Sequence, residues 1–323
     1  MTVHARWLRM GLLCLLPLSL APAPAPAQAY PTGPVRFITQ QGAGGGTDVA
    51  MRMVTEALGK LWGQQTVLIN QPGAGGALAA RSVAEAAPDG HTLFLAVASA
   101  FVVLPQTQRN LSFNVNDFVP VGFVAEAPMA IAVSPTLPVS NVSELVALSK
   151  KQPGGLNAAV SFRGGVPHLT TELFASRSGA VLTSVHYPSS AQSVSDVISG
   201  RVQVIAEGLG GPVGSGQVKV LAVASHDRLA ARPDLPTVSE TIPGFAASGW
   251  YVLVAPRGTP RPIVQKLNED LRTVLARADV QQRLVDLGSL TRALSPEQVG
   301  DFIRMEQNLW APVVKRLGLA TSP

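Results

Sequence analysis

The chain has 323 residues and a formal net charge of +5, with 14% charged and 5% aromatic residues. Because the basic residues are scattered and aromatic side chains are few, the composition argues against a nucleic-acid partner. The length is enough for two domains of ordinary size, each with its own hydrophobic core.

The first 29 residues have the pattern of a cleavable secretion signal. Arg6 and Arg9 precede the apolar run 11–20, and Ala27-Gln28-Ala29 forms a small-x-small cleavage site. The apolar run is too short to span a membrane. We therefore predict cleavage after Ala29 and a periplasmic mature protein of residues 30–323.

Residue types that bind metals or act as nucleophiles are sparse. Cys14, the only cysteine, lies in the predicted signal, so the mature chain has no disulfide and no cysteine ligand. The histidines are far apart in sequence, and neither a Gly-x-Ser-x-Gly elbow nor a Gly-Lys-Ser/Thr phosphate loop occurs. The sequence therefore predicts no metal site, no cofactor and no enzymatic activity.

Apolar runs alternate with segments of helical periodicity along the mature chain. The first third predicts strands at 35–38, 65–70 and 92–98, with helices after glycine loops at 42–46 and 73–76. The middle third predicts strands at 129–133, 156–161, 181–187, 202–206 and 218–224, with helices from 141, over 167–178 and over 191–199. A strand at 250–255 and helices that begin near 259, 279 and 295 complete the chain.

This alternation is typical of α/β architecture in which each unit is a mostly parallel sheet flanked by helices. The chain crosses between two such units near residue 128 and returns near residue 248, which predicts two lobes joined by a pair of strands. Lobe 1 comprises residues 30–127 plus 248–323, and lobe 2 comprises residues 128–247. A cleft between such lobes is the expected place for a small ligand.

The segment 42–48, Gly-Ala-Gly-Gly-Gly-Thr-Asp, follows the first predicted strand and opens a helix. Such a loop brings backbone N–H groups and the positive end of a helix dipole to one small anion, although a tight structural turn explains it equally well. Thr47 is the expected N-cap, and Asp48 lies in the first turn. A dinucleotide fingerprint is disfavoured because Thr47 occupies the position of its third glycine and Asn70 ends the next strand.

Three polar residues of the middle third are candidates for ligand contact. Arg163 precedes two glycines and a helix start, where a guanidinium can hold a carboxylate through two hydrogen bonds, with a solvated loop charge as the alternative. His168 lies in the first turn of that helix. Glu207 follows an apolar strand at its carboxyl end, where it either receives an amine or amide or caps a loop.

A series of short motifs runs through nearly the whole mature chain. In order they are Tyr30-Pro-x-x-Pro-Val-Arg-Phe-Ile, Gly44-Gly45-x-Thr47-Asp48, Asn70-x-Pro72-Gly73-Ala74-Gly75-Gly76, Ala87-Pro88-Asp89-Gly90-x-Thr92-Leu93, Asp117-Phe118-x-Pro120-Val121, Pro167-His168-Leu169, Pro236-Thr237-Val238-x-Glu240 and Ala255-Pro256-x-Gly258-Thr259-Pro260. In this order the motifs resemble the Bug family, the periplasmic substrate-binding receptors of tripartite tricarboxylate transporters.

The resemblance implies a type II periplasmic binding protein whose two lobes close on a small carboxylated solute. In this family, loops at helix starts of both lobes hold the ligand carboxylate, partly through water. Carried over by position, the expected ligand-binding residues are Gly44, Gly45, Gly46, Thr47 and Asp48 from lobe 1 and Ser161, Gly164, Gly165 and His168 from lobe 2.

Departures from the family pattern add four candidate ligand-binding residues. Gln40-Gln41 replaces the usual Pro-Phe and brings amides, so Gln41 is one candidate, and Ser99 lies in a third-strand loop that is more apolar than usual. Arg163 adds a positive charge beside positions that usually carry hydroxyl groups, and Glu207 stands where Asp is common. We hypothesise that Arg163 adapts the site to a second anionic group.

The function that the resemblance implies is capture of a small organic acid, acidic amino acid or related amide and its delivery to the permease subunits of a tripartite tricarboxylate-type membrane transporter. A sensory receptor of the same fold, acting on a signalling partner, is the alternative. A periplasmic hydrolase has little support, because no nucleophile and base stand at a recognisable spacing. We expect a monomer.

Overall fold

The computed structural model describes residues 30–44, 46–161 and 163–319. The predicted signal peptide and its cleavage site, the predicted site residue Gly45, and Phe162 lie outside the described residues. Within the described ranges, no helix is both long enough and apolar enough to cross a membrane.

Strands and helices alternate along the described chain, as the hydrophobic pattern predicts. The strands are β1 (Val35–Thr39), β2 (Thr66–Asn70), β3 (Thr92–Val97), β4 (Phe118–Val133), β5 (Leu156–Ser161), β6 (Leu182–Tyr187), β7 (Val204–Gly208), β8 (Lys219–Val223) and β9 (Ser248–Pro256). The helices are α1 (Gly46–Trp62), α2 (Ala77–Ala84), α3 (Ala98–Val102), α4 (Leu104–Thr107), α5 (Val142–Lys151), α6 (Val166–Ser178), α7 (Ser190–Ile198), α8 (Gly211–Gly214), α9 (Arg261–Leu275), α10 (Ala278–Asp286) and α11 (Pro296–Arg316).

The strands form a continuous sheet in the order β2-β1-β3-β9-β4-β7-β5-β6, and β8 pairs with β4 beside this path. Pairing is parallel between β1 and its neighbours β2 and β3, and between β5 and its neighbours β6 and β7. Every pair that includes β4 or β9 is antiparallel. The predicted α/β fold is therefore confirmed, but the expectation of mostly parallel sheets holds only for the outer strands.

β4 is longer than predicted and connects the two parts of the sheet. Its first half pairs with β9 as far as Pro128 opposite Ser248, and its second half pairs with β7 from Met129 opposite Gly208. The apolar pattern predicted only residues 129–133, because two prolines interrupt the preceding segment. The strand accommodates Pro120 through a register shift between Pro120 and Gly122, which is the effect of a β-bulge.

Local capping signals predicted several helix ends correctly. The Glu144 N–H donates to Asn141 Oδ1 at 2.9 Å, and the Ser140 N–H donates to Glu144 Oε2, so the expected capping residues start α5. α6 ends at Gly179, whose φ of +70° is the left-handed conformation of a C-cap. Thr47, however, is not the N-cap of α1, because the helix already begins at Gly46.

Two short helices, α3 and α4, were not predicted. α3 and α4 follow β3 where the run 96–104 is apolar apart from Ser99. A short buried helix and a buried strand have the same apolar pattern, so periodicity cannot distinguish them. In α3, Ser99 accepts a hydrogen bond from Gln40, which lies just before the first glycine loop.

The predicted mature N-terminus packs into the first part of the sheet. The Tyr30 hydroxyl donates to the Gly90 carbonyl oxygen at 2.7 Å, and the Tyr30 ring contacts Trp62 edge-on. Gly90 has a φ of +84°, and a Cβ added there would lie 2.7 Å from the Tyr30 ring. The motif that begins at Tyr30 and the motif that contains Asp89-Gly90 therefore contact each other in the folded chain.

Candidate functional site

The first glycine loop is held by the Asp48 carboxylate. Asp48 is 3% exposed, and it accepts hydrogen bonds from the Gly44 N–H (2.9 Å), the Asn70 side-chain amide (2.7 Å) and the Arg52 guanidinium (3.0 Å). Burial alone would raise the pKa of Asp48, but these three donors together hold it below its usual range. Asp48 therefore anchors the loop through contacts within lobe 1.

Polar contacts tie the same loop to the ends of the neighbouring strands. The Asn70 amide also donates to the Gln41 carbonyl oxygen at 3.0 Å, and Gln40 Nε2 donates to Ser99 Oγ at 3.1 Å. Because β1, β2 and β3 are parallel, their carboxyl ends lie at one edge of the sheet, which brings these three chain segments together. Gly46 and Thr47 open α1 at this edge.

The second glycine loop has a similar position in lobe 2. It follows β5, and α6 begins directly after Gly165, which is the N-cap residue in extended conformation. The Gly164 N–H donates to His168 Nδ1 at 3.0 Å. His168 is 4% exposed, and this burial lowers its pKa, as do the neighbouring His186 and Arg163 side chains, while Glu172 opposes the shift.

Glu207 lies in a cluster of hydroxyl groups at the carboxyl ends of β5 and β7. Ser161 Oγ donates to Glu207 Oε2 at 2.6 Å, and the Ser190 hydroxyl at the start of α7 and the Gly208 N–H (3.3 Å) also bind this carboxylate. Burial raises the pKa of Glu207 despite these donors. The three strands that precede these groups are parallel, so Ser161, Ser190 and Glu207 meet at one edge.

The strand register places the two carboxyl edges on either side of the crossing in β4. Val97 at the end of β3 is paired with Tyr251, which is paired with Ala125, whereas Gly208 at the end of β7 is paired with Met129. Four residues of an antiparallel strand span about 13 Å. The loops that follow the strands of both lobes therefore face each other at this crossing.

Two direct contacts join segments of the two lobes. A Cβ added to Gly164 would lie 3.8 Å from the Val103 side chain, so the second glycine loop lies near α3 and α4 of lobe 1. In the second contact the Gly210 backbone meets Gly288, and a Cβ on Gly288 would lie 2.9 Å from the Gly210 nitrogen. Close backbone approach explains the glycine at position 288, whereas Gly164 is explained by its φ of +82°, which residues with a side chain rarely adopt.

Tyr251 connects the contact between Gly210 and Gly288 to the first glycine loop. Its hydroxyl lies 2.8 Å from Ser289 Oγ and also hydrogen-bonds the Thr47 side chain. Burial raises the pKa of Tyr251, so the phenol stays protonated and can serve both partners. Thr47, predicted to contact the ligand, thus has a partner within the protein.

Arg163 is exposed, and its guanidinium has no hydrogen bond or ion pair with any of the described residues. Two grooves lie elsewhere: one of about 370 Å³ between β4 and α11, and one of about 440 Å³ beside α5 and α6, with no predicted site residue in either lining. In the part of the chain that the structure describes, no group of three or more acidic, histidine or cysteine side chains can hold a metal ion.

Four residues outside the predicted set organise the site. Gln40, Arg52, Asn70 and Ser190 all bind predicted site residues. Arg52 is four residues after Asp48 on one helix, a spacing that favours an ion pair, and Asn70 ends the strand beside β1. Both signals are readable from the sequence, whereas Gln40 and Ser190 become site residues only through the strand order.

The buried Glu207 carboxylate predicts a stability change that depends on pH. The pKa of Glu207 is raised in the folded state. Glu207 therefore favours folding most at a pH below its ordinary pKa of 4.5, and progressively less as the pH rises through the pKa of the folded state. We expect Glu207→Gln to raise the midpoint of thermal unfolding at pH 8 and to leave it unchanged at pH 4. Equal shifts at both pH values would contradict this explanation.

The two-lobed α/β fold, with loops of both lobes facing across a crossing strand, defines a solute-binding protein of the periplasmic type. The chain matches the family described as the tripartite tricarboxylate transporter family receptor, TctC, over residues 50–319, and it belongs to this family. The resemblance to Bug receptors is confirmed.

Similar proteins extend over nearly the whole chain. BugT of Bordetella pertussis is 33% identical over 295 residues, which cover 90% of each chain. Rpa4515 of R. palustris, solved with adipate, is 30% identical with a TM-score of 0.81 and covers 90% of this chain and 99% of its own. MatC from Rhodopseudomonas palustris, solved with bound malate, is 30% identical with a TM-score of 0.76, covering 88% and 100% of the two chains.

Proposed function

We propose that this protein is a periplasmic receptor that captures a small dicarboxylate between its lobes and delivers it to the permease subunits of a tripartite tricarboxylate-type transporter. The observation that carries the proposal is the strand register, which makes the carboxyl edges of both lobes face each other about four β4 residues apart. Two glycine loops and the N-termini of α1 and α6 lie at these edges. Similar proteins solved with adipate and malate support a ligand with two carboxylates.

The chemistry of the two edges suits an anionic ligand. N-terminal N–H groups of α1, a helix of 17 residues, and of α6, with 13 residues, attract carboxylates. We propose Gln41, Gly44, Gly45, Gly46, Thr47, Asp48 and Ser99 of lobe 1, and Ser161, Arg163, Gly164, Gly165, His168 and Glu207 of lobe 2, as the ligand-binding region. Some contact the ligand and others, such as Asp48, hold the loops.

A thermal-shift screen of residues 30–323 tests this function. The compounds are adipate, malate, mono- and tricarboxylates, acidic amino acids, aromatic carboxylates and the corresponding amides. A ligand at 100 times its dissociation constant adds about 2.7 kcal/mol to the free energy of unfolding, which shifts the midpoint by several degrees. A shift with one chemical class, with the compound recovered unchanged by mass spectrometry, supports a receptor. Turnover of the compound would instead indicate an enzyme.

Arg163 provides a sharper test of ligand class. Removing a hydrogen bond to a charged group costs about 1.5–3 kcal/mol, so we expect Arg163→Ala to weaken a dicarboxylate by about 10- to 150-fold in calorimetric titrations. A matching monocarboxylate should be affected less. Arg177→Ala removes one positive charge at the opposite end of α6 and serves as the control. Equal affinity of wild type and Arg163→Ala for every dicarboxylate would disprove the role of Arg163.

A sensory receptor is the second candidate, because a closed two-lobed protein can bind a signalling partner as well as a permease. Neighbouring genes distinguish the two: a permease pair supports transport, and an adjacent histidine kinase supports sensing. Uptake of the identified acid by cells with and without this receptor then tests transport directly. Uptake that is independent of the receptor would contradict the transport role.

The remaining assignments follow from the same proposal. We propose lobe 1 as residues 30–127 plus 248–323 and lobe 2 as residues 128–247, supported by the change of β4 partner between Pro128 and Met129. We also propose export to the periplasm with cleavage after Ala29, and a monomeric receptor. N-terminal sequencing of the exported protein and light scattering test these last two points.

A further inference from the structure

The two glycine loops are anchored by the same construction. Gly44 has a φ of +85°, and its N–H donates to Asp48 Oδ2, four residues ahead. Gly164 has a φ of +82°, and its N–H donates to His168 Nδ1, also four residues ahead. Both acceptors lie near the start of the helix that follows the loop, at the carboxyl edge of their lobe.

The two acceptors differ in their response to protons. The Asp48 carboxylate accepts a hydrogen bond at every pH near neutrality, and its lowered pKa extends this range. An imidazole nitrogen accepts only while it carries no proton; in the imidazolium ion both nitrogens are donors. Protonation of Nδ1 would set a donor 3.0 Å from the Gly164 N–H, which is also a donor.

We propose that His168 is a positioning residue that holds the second glycine loop in its ligand-binding conformation only while it is neutral, so that protonation of His168 releases the loop and weakens ligand binding. This inference rests on the proposed function of the site. Because Nδ1 is occupied by the Gly164 N–H, His168 acts on the ligand through the loop. The receptor thereby binds its acid well near neutral pH and less well in an acidified periplasm.

The surroundings of His168 favour the neutral ring. Glu172 on the same helix is the nearest acid, with Oε1 at 3.9 Å from Nε2, but its carboxylate accepts a hydrogen bond from Ser184 at 2.8 Å. His186 on β6 packs edge-on at 5.1 Å between ring centroids, and Arg163 precedes the loop. Both disfavour a second positive charge.

The other elements that pack on α6 contribute little charge near the ring. β5 has no titratable side chain, and Glu207 on β7 is engaged with Ser161. On α11, Arg316 contacts Ser176 at the opposite end of α6. The groups that control the charge of His168 are therefore Glu172, His186 and Arg163, and their combined effect with burial is a lowered pKa.

The first experiment needs no ligand. In ¹⁵N-labelled wild-type protein, the Gly164 amide signal and the His168 imidazole nitrogen signals are followed from pH 8 to pH 5. We expect the Gly164 amide signal to move, and its protection from solvent exchange relative to the intrinsic rate at each pH to fall, with the same midpoint as the His168 imidazole, below its ordinary value of 6.5. A Gly164 amide that ignores the His168 titration would overturn the proposal.

The second experiment measures adipate affinity in three proteins by calorimetry. His168→Asn retains an acceptor oxygen close to the position of Nδ1 but cannot titrate, whereas His168→Gln moves its polar atoms one bond outward. If only the neutral form binds, wild-type affinity falls by about tenfold per pH unit below the pKa of His168. We expect His168→Asn, whatever its affinity at pH 7.5, to lack this loss at acidic pH, and His168→Gln to bind more weakly than His168→Asn at neutral and acidic pH.

Comparing the three proteins also corrects for protonation of adipate itself, because that effect on the measured affinity is the same for all three. Parallel pH profiles for wild type and His168→Asn would overturn the proposal, as would strong binding by His168→Gln. If adipate binds none of the proteins at any pH, the proposed function fails for this diacid. The nuclear magnetic resonance titration still decides the inference about His168 in that case.

Discussion

Replacing Asp48 by alanine is expected to lower the free energy of unfolding by about 2–4 kcal/mol and to abolish measurable ligand binding. The buried carboxylate accepts hydrogen bonds from Gly44, Asn70 and Arg52, so its removal leaves the glycine loop without its anchor. Each hydrogen bond to a charged group contributes about 1.5–3 kcal/mol, reduced for the partly exposed Arg52. Urea unfolding and calorimetric titration with adipate measure the two effects.

Two comparisons distinguish the loss of the loop anchor from the loss of the ion pair between Asp48 and Arg52. Arg52 is 42% exposed in its side chain, so Arg52→Ala should cost less than about 1 kcal/mol and preserve binding. The contribution of Asp48 to the free energy of unfolding also depends on pH, because folding lowers the pKa of this carboxyl group. The contribution is complete above the ordinary pKa of 3.8, and it is lost as the pH falls through the pKa of the folded state. Equal losses for Asp48→Ala and Arg52→Ala would assign the effect to the ion pair.

Replacing Glu306 by leucine should be the most destabilising of the substitutions considered for the core of lobe 1. Glu306 Oε2 accepts hydrogen bonds from the indole nitrogens of Trp250 (2.8 Å) and Trp310 (3.1 Å), and all three residues are buried. Leucine removes the acceptor and leaves both donors without a partner. Each buried unsatisfied donor costs about 1–3 kcal/mol, which corresponds to a fall in the unfolding midpoint on the order of 10 °C.

Glu306→Gln distinguishes lost hydrogen bonding from lost charge. Glutamine keeps one acceptor oxygen of similar position, and burial raises the pKa of Glu306, so a neutral side chain is compatible with this environment. We therefore expect Glu306→Gln to unfold within a few degrees of wild type. If Glu306→Gln were as destabilising as Glu306→Leu, the two indoles would require the negative charge of Glu306 and not only an acceptor oxygen.

Local signals in the sequence predicted most helices and the outer strands, because these depend on residues close together in the chain. Asn141 with Glu144 and the terminal Gly179 are examples in which capping chemistry acts within a few residues. The first half of β4 was not predicted, since Pro120 and Pro128 break the local pattern. Pairing with β9 supplies the hydrogen bonds that hold this segment extended, and that partner lies more than a hundred residues away.

The same division applies to the candidate site. Glycine loops, Arg163 and Glu207 could be recognised from residue type and from their place after an apolar strand. The partners of these residues could not, because the Asp48 contact with Asn70 and the Glu207 contact with Ser161 depend on which strands are neighbours. The role of His168 likewise changed from a predicted ligand contact to a proposed anchor once its Nδ1 was seen to accept the Gly164 N–H.

The amino-acid sequence by itself determined the α/β alternation, the glycine loops at helix starts and the membership of a receptor family, because these follow from short-range periodicity and contiguous motifs. Only the tertiary structure decided how the two lobes face each other. The register of β4 against β9 and β7 sets the distance between the carboxyl edges, and register results from the packing of whole strands. The geometry of the cleft is for this reason a property of the folded chain.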